Sequence, residues 1–307
     1  MVLSISKNHS ILFFLKYPKM NTQSITPAQQ LRVMVIGAHP DDCEICAGGT
    51  ILKYQAAGAV VNMVSFLNGD KGHMSMQPEA LKARRLAETQ RVKEILGVSS
   101  YQVIPDQSDG ELVPSIEMRK TMTRLIRAFD PHIIFTHRTC DYHADHRAVG
   151  VLVQDASYLL GVPLWCPETP IPQNKPVLFY MSDAFKTPAE LRPDMVVEID
   201  AEMDRSLEAL CAHESQFFEW LRFDRRITEA VPGSLEGRKT FIATYWLNDR
   251  KALDANRFRS QLIACYGEKG KTVRFAEAFE LSEYGYLPTS EELTNLFPFL
   301  PNKQKIT

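Results

Sequence analysis

The stretch "VIGAHPDDCEICAGGTIL", residues 35–52, leaves a strand and enters a helix within a single turn. It continues "RVMVIGAH" (32–39), a short β-branched apolar run that reads as a buried parallel strand. The apolar run stops at Gly37, and His39, Pro40, Asp41, Asp42, Cys43, Glu44 and Cys46 crowd in before the helical pattern begins. "GTILKYQAAG" carries that helix to Gly58, a C-terminal stop. A metal site, a redox pair and a helix cap are all compatible with this turn.

The same alternation repeats outward. "AVVNMVSFL" (59–67), "YQVIP" (101–105) and "HIIFTH" (132–137) read as strands. "ALKARRLAETQRVKEILG" (80–97) reads as an amphipathic helix with Leu81, Leu86, Val92, Ile95 and Leu96 on its buried side, and "SIEMRKTMTRLIRAF" (115–129) as another helix. The chain is therefore expected to be α/β: a Rossmann-like parallel sheet with helices on both faces and a C-terminal elaboration. In that elaboration 163–176 is a proline-rich loop, "PVLFYMSD" (176–183) and "MVVEID" (195–200) are strands, and 201–221 is one helix. Residues 222–270 have helical stretches without a clear period. A single domain is expected over 29–285, with a loose arm or extension at 1–28 and a tail at 286–307. "ILFFL" (11–15) is too short for a signal segment, and Met20 is a candidate start.

Composition narrows the function classes. The 307 residues are 45% apolar and 23% charged with a net charge of −2, so no basic field exists to hold nucleic acid. No run approaches the roughly 20 apolar residues of a membrane span. Cys43, Cys46, Cys140, Cys166, Cys211 and Cys265 are scattered, which reads as reduced thiols in the cytoplasm.

Ligands bind beyond the carboxyl ends of the strands in an open α/β sheet. Here those ends carry "HPDD", "NGDKGH" (68–73), "DQSDGEL" and "HRTCDYHADHRAVG" (137–150), all rich in polar side chains. His39 and Asp42 from the first turn, with His143 and His146 from the last, are of the types that hold a catalytic divalent ion and leave a position for water. Asp41 is placed to take a proton from that water, and Asp145 to orient an imidazole. The Cys-x-x-Cys rival fails because the preceding aspartates raise a thiolate's pKa and no second cysteine pair completes a zinc site. "CAGGT" (46–50) lacks a G-x-G-x-x-G, which weakens the alternative of a non-catalytic nucleotide-binding module. "FFEWLRFDRR" (217–226) reads as a solvated helix face with buried aromatics rather than a nucleic-acid surface.

"AHPDDCE" (38–44) with "HADHRAVG" (143–150) resembles the LmbE-like, or PIG-L-like, zinc-dependent de-N-acetylases. "NGDKG" (68–72), Arg85 with Glu88, "SDGEL" (108–112), "AHESQ" (212–216) and "FAEAFEL" (275–281) add weaker matches. The resemblance implies that His39, Asp42 and His146 bind Zn2+, with Fe2+ or another divalent ion as the alternative. It implies that Asp41 is the general base, that His143, held by Asp145, stabilises the oxyanion and protonates the amine, and that Arg85 and Asp109 contact a sugar. The family's usual H-P-D-H has Ala144 in place of proline, and 155–195 has no clear counterpart. The implied substrate is an N-acetylated amino sugar or related glycoside; a homo-oligomer is compatible with it.

Overall fold

The computed structural model describes residues 30–301. Among them seven strands form one sheet: β1 (Arg32–Gly37), β2 (Val60–Ser65), β3 (Ser100–Val103), β4 (Ile133–Thr136), β5 (Val177–Met181), β6 (Met195–Glu198) and β7 (Ala276–Leu281). Their spatial order is β3-β2-β1-β4-β5-β7-β6. The first five are mutually parallel. β7 runs antiparallel to both β5 and β6, so the sheet is mixed rather than wholly parallel. β7 lies within "FAEAFEL", where a buried acid, Glu277, interrupts the apolar run.

The helices are α1 (Asp42–Ala56), α2 (Pro78–Leu96), α3 (Ile116–Phe129), α4 (Ala144–Leu159), α5 (Met203–Cys211), α6 (Leu221–Asp224), α7 (Leu235–Ile242), α8 (Asn248–Arg257), α9 (Arg259–Tyr266) and α10 (Ser290–Leu296). Alternate residues of each strand point to opposite faces. Val33 and Val35 of β1 meet Ile51 and Tyr54 of α1 and Val92 and Leu96 of α2 on one face. Met34 and Ile36 meet Met122 and Ile126 of α3 and Leu152 and Val153 of α4 on the other. The helix expected over 201–221 is broken: α5 ends at Cys211, and Ser215–Trp220 is wound as a π-helix.

Two further expectations need correction. Leu86 is exposed, and α2 turns Leu81, Arg85, Glu88, Thr89, Val92 and Leu96 inward, so polar side chains occupy part of its buried stripe. Residues 286–301 are not a tail. Thr289 and Glu292 close a capping box on α10. The helix leads to fully buried Phe297, whose ring lies 5.9 Å from Tyr54 and 5.4 Å from Phe179. The arm expected at 1–28 and residues 302–307 lie outside the described residues.

After β1 the chain crosses to α1 on one face, and after β4 to α4 on the other. β1 and β4 are neighbours in the sheet, so their following loops part company and leave a crevice at the carboxyl edge. No helix among the described residues is long and apolar enough to cross a membrane.

Because Phe297 fills the core, Phe297→Ala is expected to lower unfolding free energy by about 3–5 kcal/mol in urea titration. A loss under about 1 kcal/mol, the range of a surface change, would return these residues to a tail.

Candidate metal centre

The crevice is built from the turn after β1. Gly37 has no Cβ; one placed there would fall 2.6 Å from the Cβ of Asp42, so glycine lets the turn fold back over the strand end. Asp42 then closes the turn, its Oδ2 accepting from the backbone N–H of Ala38 at 3.0 Å and of His39 at 2.7 Å. Between them Asp41 sits at φ 146°, ψ −23°, a region that favours glycine, which costs on the order of 1–3 kcal/mol. The Asp41 side chain caps nothing, so a simple helix cap does not explain the paired aspartates.

The loop after β4 and the start of α4 supply the other wall. His146 Nδ1 lies 3.2 Å from Asp141 Oδ2, and His39 Nε2 lies 3.1 Å from Asp145 Oδ2. That leaves His146 Nε2 3.4 Å from Asp42 Oδ1 and His39 Nδ1 3.4 Å from Asp42 Oδ2. Each ring thus has its outer nitrogen on a carboxylate and its inner nitrogen aimed at Asp42. Ligand atoms of His39, Asp42 and His146 converge within 4.8 Å of one another. Two imidazoles and a carboxylate, with the outer nitrogens already held, fit a divalent ion. Two overlapping groups, His39–His143–Asp145 and His137–Asp141–His146, draw on the same side chains.

The charges here are strongly coupled to burial. Burial works against ionised Asp42, but His146 and His137 outweigh it and hold its carboxyl well below the usual range. Burial likewise opposes charge on His39, yet hydrogen bonds to Asp145 and Asp42 hold its pKa up at about 10. Asp41 makes its side-chain ion pair with Arg85 rather than with an imidazole. Burial raises it to about 6, against the pull of Arg85.

The structure brings His39, Asp41, Asp42, Arg85, His143, Asp145 and His146 together, and it gives Asp145, His143, Arg85 and Asp109 contacts other than those expected. Asp145 does not hold His143 through its carboxylate: Oδ2 is bonded to His39 and accepts the Gly110 N–H at 2.7 Å. Instead the Asp145 backbone N–H donates to His143 Nδ1 at 3.2 Å, because His143 is the N-cap of α4. A ring that accepts at Nδ1 is neutral with its proton on Nε2, and burial and the charges on His146 and His39 keep His143 below its ordinary pKa. Arg85 is buried rather than open to a ligand. It donates through Nη2 to Pro40 O and to Asp41 Oδ2 at 3.2 Å, and through Nη1 to Gln216 Oε1 at 2.9 Å. Asp109 Oδ1 accepts the Gly69 N–H at 3.0 Å, joining the loops after β2 and β3.

Asp141 and His137 escaped the sequence reading. Asp141 both orients His146 and accepts the His143 N–H at 2.8 Å; an acid five residues before a histidine is the signal that was available. The "AHESQ" residues also act inward: His213 meets Glu44 at 2.9 Å and Ser215 Oγ donates to Glu88 at 2.6 Å. Cys43 and Cys46 are unpaired and buried, and burial lifts the Cys46 thiol to about 12, which excludes a reactive dithiol.

Residues 34–157 match the family described as PIG-L: GlcNAc-PI de-N-acetylase. A diacetylchitobiose deacetylase of Thermococcus kodakarensis is 33% identical over 193 residues, 61% of this chain and 71% of that protein. The structure of the N,N'-diacetylchitobiose deacetylase from Pyrococcus horikoshii superposes with a TM-score of 0.59 at 26% identity, covering 82% of this chain and 83% of that one. A 4-carboxy-2-hydroxymuconate hydratase from Pseudomonas putida shares the fold, with a TM-score of 0.62 at 20% identity, covering 85% and 98%.

The pKa of about 10 at His39 means that the metal-free site carries a proton on Nδ1 at neutral pH. Metal uptake must expel it, so apparent affinity is expected to rise about tenfold per pH unit between pH 7 and 9. Calorimetry in buffers of different ionisation enthalpy checks this; uptake with no proton released would remove His39 from the ligand set.

Proposed function

The chain belongs to the PIG-L/LmbE-like family, and on that premise we propose that it is a divalent-metal hydrolase that removes the acetyl group from an N-acetylated amino sugar or related glycoside. The observation that carries this is the aim of His39 and His146 at Asp42, each ring held from behind by its own carboxylate. We assign His39, Asp42 and His146 as the ligands and Zn2+ as the ion. A bound divalent ion would acidify a water and polarise the amide oxygen.

The remaining work belongs to the protein's own groups. Asp41 is buried, and its pKa of about 6 suits a base that must be ionised at neutral pH and still accept a proton. Its carboxylate takes a proton from water as the water oxygen bonds to the amide carbon. His143, exposed at the rim, donates from Nε2 to the amide oxygen as that oxygen gains charge. The C–N bond then breaks, and the proton on Asp41 passes to the departing amine. Arg85 holds Asp41 ready from one side and fixes Pro40 from the other. Cys43, Cys46, Cys140, Cys166 and Cys211, free thiols spread over the described residues, support a cytoplasmic setting.

Metal-stripped and reloaded protein should be compared for acetate release from N-acetylglucosamine, diacetylchitobiose and an N-acetylglucosaminyl glycoside. Acetate is expected only after reloading. Addition of water to a carbon–carbon double bond could use the same base but releases no acetate, and metal-loaded protein silent on all three substrates would sink the deacetylase reading.

Asp41→Asn is expected to keep its metal and lose about 10²–10⁴ in kcat. Activity within a few-fold of wild type would exclude Asp41 as the base.

Arg85→Met removes the positive charge that lowers the Asp41 pKa, so the acid limb of the pH–rate profile should move to higher pH. An unmoved limb would show that another group supplies that ionisation.

A further inference from the structure

Residues 42–56 form one helix by sequence, with no proline, yet the helix is broken at Ala47, which has φ −137° and ψ 16°. Alanine is the strongest helix former, but Gly48 and Gly49 follow it and weaken the helix here, and groups from outside take up the backbone bonds that the break frees. In an unbroken helix the Thr50 N–H would donate to Cys46 O. Here a buried ion pair stands in that gap. Lys251 Nζ donates to Cys46 O at 3.2 Å and to Glu277, while Glu277 Oε2 accepts the Thr50 N–H at 2.8 Å and Oε1 accepts the Gly49 N–H at 3.0 Å. Lys251, on α8, and Glu277, on β7, are almost wholly buried. The glycines make room: a Cβ on Gly48 would fall 2.7 Å from Ser206 Oγ, and one on Gly49 would fall 2.6 Å from Ile199. Arg250 adds a contact to Cys46 Sγ at 3.3 Å.

The two halves of α1 do different things. The segment beyond the break packs Ile51 and Tyr54 onto the sheet. The segment before it is the first turn, which carries Asp42. We propose that the Lys251–Glu277 pair is a positioning device for the ligand turn: by holding the helix open at Ala47, it lets Asp42 face His39 and His146 while the rest of α1 stays docked. Two buried charges are a costly way to staple a fold, and an apolar pair of similar volume often serves stability as well. What an apolar pair cannot do is satisfy one carbonyl and two N–H groups freed at a chosen point. The polarity is also set, since the carbonyl needs a donor and the N–H groups need acceptors.

The inference rests on the assignment of Asp42 as a ligand but not on the identity of the substrate. Its test is the affinity of the metal-stripped protein for Zn2+, by competition with a chromogenic chelator, in Lys251→Met and Glu277→Gln. Leu262→Ala, in the apolar core that α9 shares with α8, β6 and β7 but away from the ion pair itself, serves as a control for lost stability. Both site variants are expected to bind Zn2+ about 10–100-fold more weakly while remaining folded, as partners behind metal ligands typically do on removal. Lys251→Arg, which keeps a donor for Cys46 O, should recover most of the affinity, and Leu262→Ala should leave it unchanged. Where acetate release is measurable, kcat should fall in the two variants with KM little altered. Folded Lys251→Met with wild-type affinity overturns the proposal, as does an equal loss of affinity in Leu262→Ala. Should Lys251→Met fail to fold, Glu277→Gln, which keeps one acceptor, decides in the same way. Wild-type protein that takes up no divalent ion overturns it outright, whereas metal-loaded wild type without acetate release overturns only the deacetylase reading.

Discussion

A single buried carboxylate organises the carboxyl edge of the sheet. Asp42 accepts from the backbone of Ala38 and His39, lies 3.3 Å from His137 at the end of β4, and faces His146 on α4. It therefore ties the ends of β1 and β4 to the two helices that leave them on opposite faces. Everything farther out steadies the rings around it. Asp141 and Asp145 hold His146 and His39, and the Gly110 N–H holds Asp145. The loop bearing Gly110 is fastened in turn through Ser108 and Asp109 to Asp70. The same arrangement separates the two adjacent aspartates: the imidazoles around Asp42 outweigh its burial, whereas burial outweighs the pull of Arg85, His213 and His39 on Asp41.

The strained backbone of Asp41 is held from the other side by the segment after α5. His213 reaches Glu44, Ser215 reaches Glu88, and Gln216 reaches Arg85, which in turn grips Pro40 and Asp41. Ser215 and Gln216 begin the π-helical winding of 215–220. That wider winding is an irregularity often found at functional sites, and it occurs here where side chains must reach the turn.

The parallel part of the fold was legible because each β-branched run and amphipathic helix carries its own period, and the carboxyl-edge rule then located the crevice. β7 was hidden because two glutamates, Glu277 and Glu280, break up a run that has only one β-favouring aromatic between them. Phe297 was read as tail because "FPFL" (297–300) is too short to show a period, and only its fit against Tyr54 reveals its place. The inward contacts of Arg85 were hidden for a different reason. A cation facing a site reads the same in sequence whether it awaits a ligand or grips a carbonyl. The outer carboxylate of His146 was missed because Asp141 stands in a loop crowded with polar residues, where spacing alone does not choose one.

The closure of α1 also bears on the order in which the chain folds. The partners of Gly49 and Thr50 lie 228 and 227 residues away along the chain, and Tyr54 donates to the carbonyl of Leu296, 242 residues away. Contacts of such separation carry the largest loop-closure entropy and form late. Local strand–helix units can assemble β1 to β5 early, but the turn that opens the chain's chemistry waits for β7 and α10. Refolding from denaturant should then restore helical signal before it restores metal uptake, and the interval between the two measures how long the sheet exists without its site.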